Sequence, residues 1–194
     1  GIVINNMKEK IKNKLEEIFN EKKITFKEKN IEKNLFEKVY EKLKNEFESN
    51  ILEYEIILNE NLFYEIWKLY FIKEKNINCY IEVKISKIIS SFILEGKAEI
   101  IDENPESIFK NLEGTFGDMT YKSKLDFFPK LEKVLEEYNY TNLEYIDVYF
   151  TALEIKNKNF FIRDFENNFT LNGLFFIDKL DVFETFLIEK YEQS

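Results

Sequence analysis

The strongest constraint on how this chain can fold is a change of hydrophobic period partway along it. Between Asn5 and Lys23 the apolar residues Met7, Ile11, Leu15, Ile18 and Phe19 recur at steps of three and four, which lines one face of a helix. From Asn30 the series Ile31, Leu35, Phe36, Val39, Tyr40, Leu43 and Phe47 gives a wider stripe. A second helix is therefore predicted over 30–49, with Asn30 as its N-cap. The period then falls to two. In "INCYIEVKI" the residues Ile77, Cys79, Ile81, Val83 and Ile85 take one face and Asn78, Tyr80, Glu82 and Lys84 the other, the alternation of a half-buried strand.

Neighbouring segments extend this pattern. The polar "KEKN" at 73–76 reads as a hairpin connector that pairs 63–72 with 77–85. Ile51 to Leu58 and "SSFILEGKAEII" read as two further strands, the latter with Gly96 as a bend or bulge. Asn104 and Pro105 favour the start of a short helix, "EGTFGDMTYKS" is a loop, and Pro129 opens another helix through Glu137 with Leu131, Val134 and Leu135 inward. A second hairpin is expected from "YIDVYFTALEI" and "NFFIRDFE", then a strand near "GLFFI" and a terminal helix from Asp181 to Tyr191. Elements in this order do not alternate as βαβ units do. The expectation is a single α+β domain over 1–194 with a mostly antiparallel sheet, an N-terminal helical pair and a C-terminal helix, the 1–50 helical segment packing on a 51–194 body.

Chemistry is constrained by what the sequence lacks. There is no histidine, which removes the usual general base near neutral pH and the commonest metal ligand. The single cysteine, Cys79, falls on the apolar face of its strand and reads as a core thiol; with no partner it forms no internal disulfide. Neither glycine-rich phosphate motif occurs. No apolar run approaches the roughly 20 residues of a membrane helix. The first ten residues lack the basic-then-apolar order of a secretion signal, so a cytoplasmic location is expected.

Carboxylates remain as possible acids, bases or cation ligands. Glu154, Asp164 and Glu166 on the second hairpin and Asp178 beyond it are the candidates, with Arg163, the only arginine among 28 basic residues, beside them. Alternation puts Phe161, Arg163 and Phe165 on one face, where a guanidinium can stack on rings and clamp a carboxylate. A chain with 37 acidic residues produces such clusters by chance, so Arg163 is read as a structural brace and catalysis as the minor alternative. The preference for lysine, with abundant Asn, Ile, Phe and Tyr, points to an AT-rich genome such as that of a low-GC bacterium or its phage.

Net charge is the remaining signal. The chain carries −9, with +2 over residues 1–50 and −11 over the rest. The 101–150 region is the most acidic. Its carboxylates Asp102, Glu103, Glu106, Glu113, Asp118, Glu136, Glu137 and Glu144, with Tyr121, Tyr138, Tyr140 and Tyr145 among them, form the candidate partner-binding set. Such a surface repels phosphate backbones and anionic lipid and attracts a basic protein, with carboxylates steering the encounter and rings anchoring it. The expectation is a non-catalytic binding protein, without cofactor or metal, that occludes the cationic surface of a basic protein partner. An immunity protein against a nuclease toxin or a phage inhibitor would act in this way. A histidine-free carboxylate enzyme or small-ligand module, and a scaffold subunit docking through its N-terminal helices, are the alternatives.

Overall fold

A computed structural model of the chain describes residues 2–18, 26–47, 51, 53–73, 75, 77–101, 127–143, 153–154, 168–169 and 175–180. Two helices come first, α1 (Ile2–Ile18) and α2 (Leu35–Phe47). Four strands follow: β1 (Glu53–Ile57), β2 (Tyr64–Lys73), β3 (Ile77–Ser86) and β4 (Ser91–Ile100). Helix α3 (Phe128–Glu137) leads into the two-residue strand β5 (Thr141–Asn142). These strands form one sheet in the order β1-β2-β3-β4-β5, antiparallel throughout except that β5 runs parallel to β4. A separate pair joins β6 (Leu153–Glu154) to β7 (Asn168–Phe169). The architecture is α+β with a mostly antiparallel sheet.

One sheet face carries the core. Trp67 and Leu69 of β2, Ile81, Val83 and Ile85 of β3 and Phe92 of β4 pack against Leu35, Phe36, Val39 and Leu43 of α2 and Leu131, Val134 and Leu135 of α3. These are the residues that the two periodicities place on the inner faces, and their burial is what makes the periods structural. Trp67 is fully buried, and its indole N–H donates to Glu65 Oε1 at 2.7 Å, so the large ring brings no unpaired polar atom into the core. Phe36 meets Trp67 edge-on at 5.1 Å.

The sequence reading needs correction in five places. Helix α1 begins at Ile2, three residues before the first expected position. Helix α2 begins at Leu35, not at Asn30; the segment before it turns instead, with Leu35 N–H bonded to Glu32 C=O and Asn34 in the left-handed conformation at φ 59°. Ile31 still packs on the core, so its place in the apolar series was correct although its conformation was not helical. Gly96 is in continuous register opposite Ile81; the shift lies in β2 between Tyr70 and Ile72, where the extra residue Phe71 turns its ring edge-on to Phe127 at 4.9 Å.

The fourth correction concerns β3, which is buried on both faces. Asn78, Tyr80 and Glu82, assigned to a solvent face, are 9%, 9% and 6% exposed. β3 is the middle strand of five, and its position in the sheet, not its alternation, sets this burial. Glu82 stays compatible with burial because Lys97 on β4 forms an ion pair with it. Burial disfavours the Lys97 charge, but the hydrogen bond and charge of Glu82, with Glu95 nearby, outweigh that and raise its pKa above the ordinary value.

Of the second hairpin only the pairing of 153–154 with 168–169 is described, and 159–166 lies outside the described residues; the fifth correction is the expected strand near "GLFFI". "GLFFI" contributes no strand of its own among the described residues; Phe175 and Phe176 are buried and Asp178 makes an isolated bridge to Leu62. The expected first hairpin, the strands within 51–58 and 90–101 and the helix opened by Pro129 are present. Helix α3 has Pro129 in its first turn and the three expected residues buried, and Cys79 is a buried free thiol. The helix at Asn104, the "EGTFGDMTYKS" loop and the terminal helix from Asp181 lie outside the described residues.

Two substitutions test this core. Ile81→Ala, on the central strand, should cost about 2–5 kcal/mol in urea unfolding, because the close-packed sheet and helices cannot collapse into the space. Leu58→Ala, at a position 71% exposed, should change stability by no more than roughly 0.5 kcal/mol.

Candidate functional site

Helix α2 turns one charged flank toward α3 and another toward β1. Lys38 and Lys42 lie on the flank toward α3, where the Lys42 ammonium pairs with Glu137 at 2.6 Å. Both lysines also sit over the Tyr138 ring, at 5.9 and 4.8 Å from its centroid. The hydrogen bond to Lys42 lowers the Glu137 pKa, and the same bond raises that of Lys42. Glu37, Tyr40, Glu41 and the exposed Lys44 share the other flank, at positions i, i+3, i+4 and i+7. There the Tyr40 ring meets Tyr54 of β1 at 4.9 Å, and Phe36 meets the same Tyr54 at 4.8 Å. Tyr54 is 49% exposed, an aromatic step at the β1 edge of the sheet, with the exposed Glu37 and Glu41 on the same side. On the opposite side of β1, Glu53 pairs with Lys73 at 2.5 Å and Glu55 accepts a hydrogen bond from the Tyr70 hydroxyl at 3.3 Å.

Of the residues predicted to bind a partner, four are described. Glu136 is exposed, Glu137 is held by Lys42, Tyr138 carries the two lysines over its ring, and Tyr140 is buried. The Tyr140 hydroxyl accepts the Glu32 N–H at 3.1 Å, which ties the turn before α2 to the end of α3 and takes that ring out of any interface. Asp102, Glu103, Glu106, Glu113, Asp118, Tyr121, Glu144 and Tyr145 lie outside the described residues. So do Arg163, Asp164 and Glu166 of the alternative set, whose Glu154 lies in β6. Asp178 uses Oδ1 to accept the Leu180 N–H at 2.7 Å, a local turn bond. No group of three carboxylates or thiolates with metal-ligand geometry occurs among the described residues.

A feature that sequence reasoning missed is a lysine-lined concavity around the β3–β4 turn, residues 87–90. Ser86 fixes this turn: its Oγ donates to Phe175 C=O at 2.7 Å and accepts the N–H groups of Ile88 and Ile89 at 3.1 and 3.3 Å. Ser90 then projects toward α1, where the Lys10 ammonium donates to its carbonyl and, at 3.1 Å, to Thr141 Oγ1. Lys29 donates to Ser90 Oγ at 2.9 Å. Burial, with the neighbouring charges of Lys29 and Lys14, lowers the Lys10 pKa to about 8. On the other side of the turn, Glu28 pairs with Lys87 at 3.5 Å and with the buried Lys179 at 3.2 Å, along a broader groove of about 900 Å³. No spacing in the sequence announces this cluster, since Lys10, Lys29 and Ser90 come from three distant segments.

No family model, curated protein or solved structure matches the chain. No helix among the described residues is long and apolar enough to cross a membrane.

The aromatic edge gives a pH prediction. Burial first, and then the Glu55 carboxylate, push the Tyr70 phenol up to about 12. A folded-state pKa above the unfolded value means the contribution to stability is complete below about pH 10 and is lost as pH rises toward 12. Tyr70→Phe should therefore unfold with a shallower loss of stability across this window than the wild type, read as the urea midpoint at successive pH values.

Proposed function

We propose that this chain is a non-catalytic binding protein that neutralises a basic protein partner, in the manner of a toxin's immunity protein or a phage inhibitor, by covering a cationic surface with carboxylates and tyrosine rings. The observation that carries the proposal is the open flank of α2 and β1, where the Tyr40 and Tyr54 rings meet at 4.9 Å beside the exposed Glu37, Glu41 and Lys44. Aromatic rings at the centre of an acidic face supply the anchor and the carboxylates supply the steering. The chain's net charge of −9 supports the same direction of approach, and the absence of histidine leaves few ways to build a base for catalysis near neutral pH. Three carboxylates of the acidic 102–147 segment, Glu132, Glu136 and Glu137, are described, and they lie on α3, beyond Lys38 and Lys42.

Co-purification from the source cell, with the captured protein then isolated and titrated against the full chain, tests this. The partner should be basic, and affinity should fall steeply as salt rises, because the encounter depends on screened charges. Tyr54→Ala should cost about 2 kcal/mol or more of binding if the ring is an anchor. Reversing Glu37 and Glu41 to lysine, or Glu136, Glu137 and Glu144 to lysine, should slow association. An acidic partner, or an affinity indifferent to salt and to both sets of reversals, would refute the proposal.

A further inference from the structure

Three ammonium groups, those of Lys10, Lys14 and Lys29, border a cavity of about 420 Å³ between α1 and the β3–β4 turn. Glu9 and Glu17 also line it, so the lining holds three cations against two carboxylates in a chain with an excess of nine negative charges. Lys10 and Lys29 both reach Ser90, one through its carbonyl and the other through its hydroxyl, and among the described residues neither has a carboxylate partner. Lys14 pairs with Glu17 one helical turn on, at 3.2 Å. Lys10 is half-buried and Lys29 exposed, and two cations gathered at one serine repel one another, so the arrangement gains when an anion sits between them.

We infer that this cavity is a binding site for a phosphate group, either free or carried on a small phosphomonoester, held by the ammoniums of Lys10 and Lys29 and the hydroxyl of Ser90. Two ammoniums and a hydroxyl converging from different segments match the several acceptor oxygens of a tetrahedral oxyanion better than the two of a carboxylate. The volume lies within the usual roughly 300–1,000 Å³ of small-molecule sites, and exceeds what a bare phosphate fills. Asn13 offers an amide to the remainder of a monoester. The site is separate from the α2–β1 flank, so its failure would leave the proposed partner binding untouched.

Isothermal titration calorimetry of the full chain at low ionic strength and pH 7, with inorganic phosphate in one arm and glycerol 3-phosphate in the other, tests the inference. Saturable one-to-one binding is expected in at least one arm, the tighter arm telling the free ion from the monoester. Lys29→Met should weaken it about tenfold or more, the equivalent of one charge-assisted hydrogen bond. Lys29 is exposed and among the described residues its side chain bonds only the Ser90 hydroxyl, so this variant should keep the wild-type fold by circular dichroism even if Lys10→Met does not. Lys68→Met, on β2, should bind as the wild type does.

A further readout separates binding from a merely structural role. Lys10 faces Lys14, Glu9 and Glu17 from its own helix and Lys29 from the segment before α2, while the turn presents only the uncharged Ile89 and Ser90. A bound anion favours the charged amine, so binding at pH 8 to 9 should take up a proton. The measured heat should then vary with the ionisation enthalpy of the buffer, and Lys10→Met should abolish that variation. No saturable heat in either arm at roughly millimolar ligand, or equal affinity in Lys29→Met and Lys68→Met, would overturn the assignment.

Discussion

The packing of Trp67, Ile81 and Val83 against α2 and α3 is the interaction on which the rest of the structure depends. These side chains come from adjacent antiparallel strands in direct register, Trp67 opposite Val83 and Leu69 opposite Ile81. A sheet with one apolar face must bury it, and the two amphipathic helices supply the only long apolar stripes among the described elements on that side. Once they dock, the helix flanks are fixed in orientation. Lys38 and Lys42 then fall toward α3, and Glu37 and Glu41 toward β1.

That docking decides which charges are engaged and which stay open. The α2–α3 seam closes with Glu137 on Lys42 and with Tyr138 beneath both lysines; exposed pairs of this kind add little stability and chiefly set which groups remain open. The flank left over carries tyrosine rings with Glu37, Glu41 and Lys44. At the β3–β4 turn the balance reverses, since Lys10 and Lys29 gather at Ser90 while Glu28 is engaged by Lys87 and Lys179. A chain with net charge −9 thus places tyrosine rings beside carboxylates at the β1 edge and a lysine-rich open hollow at the β3–β4 turn.

The buried polar groups show how the fold tolerates such charge. Glu82 lies on the central strand and is paired by Lys97 across β4, and Lys179 is buried between Glu28 and the Phe63 ring. Each is a charged group withdrawn from water next to a group of opposite sign or a ring face. The Ser86 hydroxyl bonds three backbone groups and so joins the β3–β4 turn to the 175–180 segment, far away in sequence.

The sequence by itself determined the element types and the inward residues of α2, β3 and α3, because apolar spacing is a local property that burial merely enforces. It did not mark the start of α2, because the apolar series runs on through Ile31 into a turn held by the Tyr140 hydroxyl from the far end of α3. The even-numbered residues of β3 looked solvent-facing because alternation reports polarity and not strand order; only the sheet, by placing β3 in the middle, buried Tyr80 and Glu82. Composition likewise gave the sign of the overall charge but not its distribution. Which tyrosines stay open, and where lysines converge, was decided by contacts between different elements, such as Lys10 of α1 with Ser90 of the β3–β4 turn and Tyr40 of α2 with Tyr54 of β1. Local pattern carries no record of such contacts, because they exist only after the helices have docked on the sheet.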